Sequence, residues 1–227
     1  MTLRICVSIL PKNNIEALSL IERAEKFKVD FIEVRLDFFE VSRNLSELSK
    51  STKIPLIATN KLKSEKGSFC GTDAERQQSL LNAAKNGFEY VDVDISSPKY
   101  KETIAKLKQL GAKPIGSYHK FDGALSSSEM GNILKQQISS GAVVSKIVIT
   151  AKKIEDNLAV LNFISAMPSR VKIVCFCMGE TGKVSRILSP LFGAFFTFAS
   201  LEKGSETASG QMSISDMRVA YDLLGAK

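Results

Sequence analysis

The chain has one histidine, His119, in 227 residues. It has four cysteines, Cys6, Cys70, Cys175 and Cys177, and no CxxC pair. One imidazole and no thiol pair at ligand spacing argue against a zinc site. Cys175-Phe176-Cys177 places both sulfurs on one face of a strand, which reads as reduced, buried thiols. Long apolar runs are also missing. The most apolar late stretch, Leu191 to Ala199, falls far short of the roughly 20 residues that span a bilayer. Met1-Thr2-Leu3-Arg4 leads straight into a strand-like run with no signal pattern, so the expectation is a cytoplasmic protein with no membrane partner.

The net charge is +7, yet basic runs, zinc fingers and RNP-type aromatic motifs are absent. The lysines are scattered singly along helix-like segments. That pattern disfavours nucleic acid and suits an anionic small molecule. No Ser/Gly-rich linker divides the chain, which argues against two stacked domains. No GxGxxG follows the first strand, which argues against a doubly wound nucleotide-binding sheet.

What is present is alternation. Short runs rich in Val, Ile, Phe or Cys are expected as strands at Arg4–Leu10, Phe31–Leu36, Pro55–Thr59, Tyr90–Ile95, Lys113–His119, Lys146–Thr150, Lys172–Cys177 and Phe195–Ser200. Most are apolar at nearly every position, as strands covered on both sides are. Between them lie amphipathic segments at Asn14–Phe27, Thr72–Lys85, Pro98–Leu110, Ser126–Ser139, Lys153–Ala166, Thr181–Ser189 and Ser213–Leu224. Thr72-Asp73-Ala74-Glu75 has the form of a capping box, and Asn86-Gly87 supplies a C-terminal stop. Eight βα units averaging about 28 residues fit an α/β chain folded as one (β/α)8 TIM barrel over residues 1–227.

In such a barrel the chemistry sits where the strands end. In Phe31-Ile32-Glu33-Val34-Arg35-Leu36-Asp37 the charged residues alternate and share a face. A closed barrel has no edge strand, so these charges are expected to pair at its mouth. His119 ends the fifth strand, where a near-neutral side chain suits proton transfer, although a lone histidine is usually unremarkable. Lys146 adjoins a fully apolar run. It reads either as a lysine snorkelling from the strand start into water, or as an inward amine nucleophile toward a ketone, and spacing does not decide. Glu65 lies in a long polar third loop, free to orient a histidine or to be solvated. Arg186 near a helix start can fork a carboxylate, and Thr207–Gln211 before the last helix forms a small polar loop; ordinary capping would explain both.

Together these positions resemble the type I 3-dehydroquinate dehydratase family along almost the whole chain. Glu33-Val34-Arg35-Leu36-Asp37 is similar to the family's E-x-R-x-D, and Ser117-Tyr118-His119-Lys120-Phe121 to its S-x-H-x-F. Gly141-Ala142 with Ser145-Lys146-Ile147 resembles the segment that carries the Schiff-base lysine. Met178-Gly179 through Ser185-Arg186 resembles M-G-x-x-G-x-x-S-R, and Gly210-Gln211 ends a loop like S-A-P-G-Q. The chain departs from the pattern at Lys61 (usually arginine), Lys66 (usually glycine), Val143 (usually aspartate), and Thr207 and Ser209 in the last loop.

The resemblance implies dehydration of 3-dehydroquinate in the shikimate pathway of aromatic amino acid biosynthesis, without cofactor or metal. It implies Lys146 as the Schiff-base amine, His119 as the proton shuttle and Glu65 as the residue that orients it. Ser8, Glu33, Arg35, Lys61, Arg186, Thr207 and Gln211 would bind substrate. It also implies a homodimer. Two rivals are another lysine Schiff-base barrel, such as an aldolase on a sugar phosphate, and a catalytically silent barrel binding an anion or a partner. The first would want a clear phosphate cradle in the last two loops.

Overall fold

A computed structural model describes residues 3–40 and 43–226; Met1, Thr2 and Lys227, the ends of the expected 1–227 span, lie outside the described residues, as do Val41 and Ser42. Eight strands form one parallel sheet: β1 Ile5–Ile9, β2 Phe31–Arg35, β3 Leu56–Thr59, β4 Tyr90–Asp94, β5 Lys113–His119, β6 Val144–Thr150, β7 Ile173–Met178 and β8 Thr197–Ser200. From β1 to β7 each strand pairs with the next in sequence, and β8 pairs with β1, with Ile5 opposite Thr197. A hydrogen bond from Phe195 N–H to the Ile173 carbonyl, 2.7 Å, draws the β7 and β8 edges together. The result is a nearly closed (β/α)8 barrel, as expected.

The helices are α1 Asn14–Lys26, α2 Leu45–Lys50, α3 Asp73–Lys85, α4 Tyr100–Gln109, α5 Ser127–Ser139, α6 Asp156–Ser165, α7 Lys183–Leu188 and α8 Ile214–Leu223. The Thr72 capping box forms, with Glu75 N–H donating to Thr72 Oγ1 at 3.3 Å and Thr72 N–H to Glu75 Oε2 at 2.8 Å. Ser126 and Glu129 build a second one at the start of α5. Gly87 ends the α3 turn at φ +92°, a conformation a side chain would strain. Two helices start later than expected. Lys99 is left-handed (φ 56°), so α4 begins at Tyr100, and α6 begins at Asp156, whose carboxylate accepts the Lys152 and Lys153 N–H groups. The expected Thr181–Ser189 helix is divided, with 3-10 turns at Glu180–Gly182 and Ser189–Phe192 flanking α7. The six-residue α2 was not foreseen.

Alternation sorts each strand. Ile32 and Val34, Ile147 and Ile149, and Cys175 and Cys177 face outward into the helix layer. Burial pushes the Cys177 thiol up to about 11, and the Cys175 thiol also up, so these thiols are inert packing. Cys6 is likewise buried; Cys70 is exposed in the β3–α3 loop. The inward face is aromatic at the bottom. Phe31 meets Tyr90 edge-on at 5.5 Å and Phe196 at 4.8 Å, and Phe196 meets Phe198 at 5.3 Å. All four rings are buried. They fill the barrel below the level where polar residues take over. No helix among the described residues is long and apolar enough to cross a membrane.

Candidate active site

Above the aromatic floor, at the C-terminal ends of the strands, opens a cavity of about 340 Å³. All ten residues singled out from the sequence line it: Ser8, Glu33, Arg35, Lys61 and Glu65, with His119, Lys146, Arg186, Thr207 and Gln211. Among the described residues no three or more His, Cys, Asp or Glu side chains are grouped to hold a metal ion.

Lys146 is not a snorkelling lysine. The strand begins two residues earlier than expected, at Val144, so Lys146 is its third residue and points inward. Its side chain is 7% exposed, and Nζ lies 4.3 Å over the Phe198 ring. Nζ donates to Asp92 Oδ2 at 3.0 Å and stands 3.8 Å from Glu33 Oε1. Glu33 is held from both sides, accepting from Ser8 Oγ at 2.6 Å and Thr59 Oγ1 at 2.8 Å. Ser8 sits directly opposite Glu33 across the β1–β2 ladder, so the two are set by register.

The strand alternation in the second unit stops at Arg35. Leu36–Phe38 is a 3-10 turn that swings Asp37 back onto Arg35, in a two-pronged pair of 2.9 and 2.7 Å. Asp37 therefore fixes the guanidinium and is itself fully buried. The expected pairing of charges at the mouth is met, but by division: Arg35 with Asp37, Glu33 with hydroxyls and Lys146.

Asp92 and Asp94 were not singled out from the sequence, although Tyr90-Val91-Asp92-Val93-Asp94 shows the same alternation as the second strand. Asp92 Oδ1 accepts from Ser117 Oγ at 2.6 Å and lies 3.2 Å from Lys61 Nζ. Burial pushes the Asp92 carboxyl up, but Lys146, Lys61, His119 and the Ser117 hydroxyl outweigh it and hold it well below the usual carboxylate range. Lys61, also inside the well, is desolvated, yet Asp92, Asp94 and Glu65 together raise its pKa.

The structure corrects the role expected of Glu65. Its carboxylate does not meet His119. Both oxygens accept from Arg76 Nη1 on α3, at 3.2 and 3.1 Å, which draws Glu65 to the helix side of the well. The carboxylate beside the imidazole is Asp94, with Oδ2 3.4 Å from His119 Nδ1. Adjacent strands explain this: Asp94 pairs with Ser117 in register, and His119 is the next inward residue of β5. An ionised carboxylate only accepts, so Nδ1 carries the hydrogen and Nε2 keeps its lone pair. Burial first, then the Lys61 cation, lowers the His119 pKa to about 4 against the opposing pull of Asp94. At neutral pH the ring is an uncharged base.

Arg186 is fully buried, with Cζ 4.3 Å over the Phe176 ring. Its segment is pinned by Ser185, whose Oγ accepts from Cys177 N–H at 2.9 Å and whose N–H donates to Asn157 Oδ1 at 3.0 Å. Arg186 Nη1 lies 3.5 Å from the Phe198 carbonyl, while Nε and Nη2 have no protein partner. Burial pushes its pKa down to about 10, still charged at neutral pH. Arg186 lines the cavity, and a buried cation with unpartnered donors calls for an anion. Beside it, Thr207 N–H donates to Gln211 Oε1 at 2.6 Å, and Gly179 N–H donates to the Ser209 carbonyl at 3.0 Å. A Cβ on Gly210 would run into the Gly179 carbonyl oxygen, so the last loop is docked on the seventh. At the opposite rim Lys66 Nζ lies 4.6 Å over Phe121, whose ring stacks on His119 at 6.1 Å.

Comparison with known proteins adds the lineage. A profile described as type I 3-dehydroquinase matches residues 5–227. A 3-dehydroquinate dehydratase of Dehalococcoides mccartyi is 38% identical over 191 residues, covering 84% of each chain. One from Methanococcus maripaludis is 29% identical over 222 residues, covering 97% of this chain and 99% of its own. Among solved structures, the 3-dehydroquinate dehydratase of Geobacillus kaustophilus superposes with a TM-score of 0.87 at 22% identity, covering 99% of this chain and 92% of that one. A type I enzyme of Clostridium difficile, solved with covalently modified comenic acid, gives 0.85 at 23% identity over 97% and 91%. At those identities the structures speak for the fold alone.

Proposed function

The chain belongs to the type I 3-dehydroquinase family and is a dehydratase, and we propose that it converts 3-dehydroquinate to 3-dehydroshikimate and water through a Schiff base on Lys146. The observation that carries this reading is one well holding a buried lysine amine, the chain's sole imidazole and a buried guanidinium with open donors. An amine meets a ketone, an imidazole moves a proton, and a guanidinium holds a carboxylate; 3-dehydroquinate presents all three needs.

In this reading Arg186 pairs with the substrate carboxylate. Lys146 gives one ammonium proton to His119 and, as the free amine, attacks the C3 carbonyl carbon; the carbonyl oxygen takes one proton from the amine and one back from His119 and departs as water, leaving an iminium and a neutral imidazole. The cationic nitrogen draws electrons from the C2–H bond, and His119 Nε2 takes that proton. The resulting enamine pushes out the C1 hydroxyl, which receives the proton back from His119 and leaves as water. A second water hydrolyses the iminium, releasing product and the Lys146 amine. One water is made and one consumed at the imine, so the net change is one water lost. Glu33 and Arg35 line the amine side, and Thr207 and Gln211 the carboxylate side, as substrate contacts. Asp94 replaces Glu65 as the group that orients His119. The reading extends to a cytoplasmic homodimer of the shikimate pathway that needs no cofactor.

Borohydride reduction in the presence of 3-dehydroquinate tests it. Mass spectrometry should find a single substrate-derived addition on the peptide containing Lys146. A labelled peptide from elsewhere in the chain would overturn the assignment.

A further inference from the structure

Five side chains of alternating charge and function run across the well: Lys146, Asp92, Lys61, Asp94 and His119. The links are Lys146 Nζ to Asp92 Oδ2 at 3.0 Å, Asp92 Oδ1 to Lys61 Nζ at 3.2 Å, Lys61 Nζ to Asp94 Oδ2 at 3.5 Å, and Asp94 Oδ2 to His119 Nδ1 at 3.4 Å. Lys61 is the central member, its side chain only 10% exposed. It shares with His119 the same oxygen of Asp94.

We propose that Lys61 is a positioning residue for the base: by competing with His119 for Asp94 Oδ2 it keeps the imidazole from closing an ion pair with that carboxylate, and it joins the base to the carboxylate that holds Lys146. The physical argument is charge balance. A carboxylate 3.4 Å from an imidazole, left to itself, favours the imidazolium, and an imidazolium cannot remove a proton from carbon. The Lys61 ammonium spends that negative charge instead. Lys61 and Lys146 set against Asp92 and Asp94 sum to zero along this row, and Glu33 stands at its far end, 3.8 Å from Lys146, so Lys61 is the cation that offsets the carboxylate beside the ring.

The other groups around the ring leave this balance in place. From β4 the ring faces Asp92 and Asp94, and from β6 Lys146. From the β3–α3 loop come Lys61, Glu65, which Arg76 neutralises at 3.1 Å, and Lys66, which lies over Phe121. Asp37 and Arg35 on β2 and its turn satisfy each other. Among the described residues Lys61 is therefore the one lysine or arginine in direct contact with the carboxylate beside His119. Arginine at this position would preserve the charge; a neutral residue would not.

This inference takes its purpose from the dehydratase reading, but its test needs no substrate. Because the chain has one histidine, the ring C–H signal of His119 is unique and its titration can be followed by NMR in the free protein. Lys61→Met should raise the proton affinity of the ring by about tenfold or more. Lys61→Arg should leave it within about twofold of the parent. Lys61 Nζ also donates to Ser117 Oγ at 3.2 Å; Lys61→Gln, which retains a donor for Ser117 and Asp92, should behave like the methionine variant and serves if that one fails to fold. Adding Asp94→Asn to either neutral variant should return the affinity to the parent's range or below it. Equal titration in the parent and the neutral variants overturns the proposal, as does an arginine variant that shifts with them. Should the titrations behave as stated while 3-dehydroquinate is left unchanged by the parent protein, the reaction falls and the coupling stands.

Discussion

Arg76 reaches out of α3 to grip Glu65, its Nη1 3.2 and 3.1 Å from the two carboxylate oxygens, while its Nη2 takes Asp73 at 2.6 Å and Ser97 at 2.9 Å. One buried guanidinium thus ties the long β3–α3 loop to the helix that follows it and to the end of β4. That loop also carries Lys61 and Lys66. Arg76→Met should cost about 2–3 kcal/mol of stability by leaving charged hydrogen-bond partners unmet. It should also reduce kcat/KM, though Arg76 does not line the well. Urea unfolding and steady-state kinetics check both effects; an unchanged midpoint and rate would show that the loop is held by other contacts.

Arg186 sets stability against binding. Its Nε and Nη2 lack protein partners while fully buried, so the free protein bears an uncompensated charge. Arg186→Met keeps much of the volume and should leave the ligand-free protein unchanged or more stable by about 1–3 kcal/mol. The same change should raise KM for the keto acid by at least tenfold, since a charge-assisted pair is worth roughly 1.5–3 kcal/mol. Thermal unfolding with and without substrate reads both arms. A variant destabilised without ligand and stabilised by it as fully as the parent would contradict the anion-site reading.

The pH dependence follows from His119. With the ring at about 4 in the fold and near 6.5 when unfolded, the folded state binds fewer protons between those values. The contribution to stability is therefore complete above about pH 6.5 and is lost as pH falls through about 4. The proposed mechanism needs the neutral ring, so the acid limb of kcat/KM should lie near pH 4 rather than 6.5. His119→Ala should remove that limb and lower turnover by about 10²–10⁴. An acid limb at 6.5 in the parent enzyme would show that Lys61 and burial do not govern the ring.

Gly210 offers a backbone test. It sits at φ +74°, and a Cβ there would strike the Gly179 carbonyl oxygen. Gly210→Ala should lift the last loop off the seventh, separate Thr207 and Gln211 from Arg186, and raise KM more than it lowers kcat. Parent kinetics in this variant would mean the docking of the two loops is irrelevant to binding.

Sequence made the strands legible because buried parallel strands are short apolar runs between helix signals; all eight lie within two residues of their expected ends. It did not reveal α2, whose six residues are too few to show helical periodicity. The ten candidate residues were visible as polar interruptions and motif positions. Their partnerships were less so. A sixth strand placed two residues late leaves Lys146 at an apparent strand start, where the water-facing reading stands slightly ahead of the inward one. Asp92 and Asp94 show the same alternation as Glu33 and Arg35, but without a motif to mark them they merge into an apolar run. The resemblance implies Glu65 as the partner of His119, and nothing in the linear order says that Arg76, eleven residues further on, turns back toward it.

The rings of Phe31, Tyr90, Phe196 and Phe198 stopper the barrel floor, so among the described residues the well opens at the strand ends. Whatever enters as a ring-shaped acid, the water it sheds and the water that later frees it must all use the same passage. Traffic there is obligatorily sequential, and the residues at the rim, Lys66 with Phe121 on one side and the docked Ser209 loop on the other, stand where exit can be slower than chemistry.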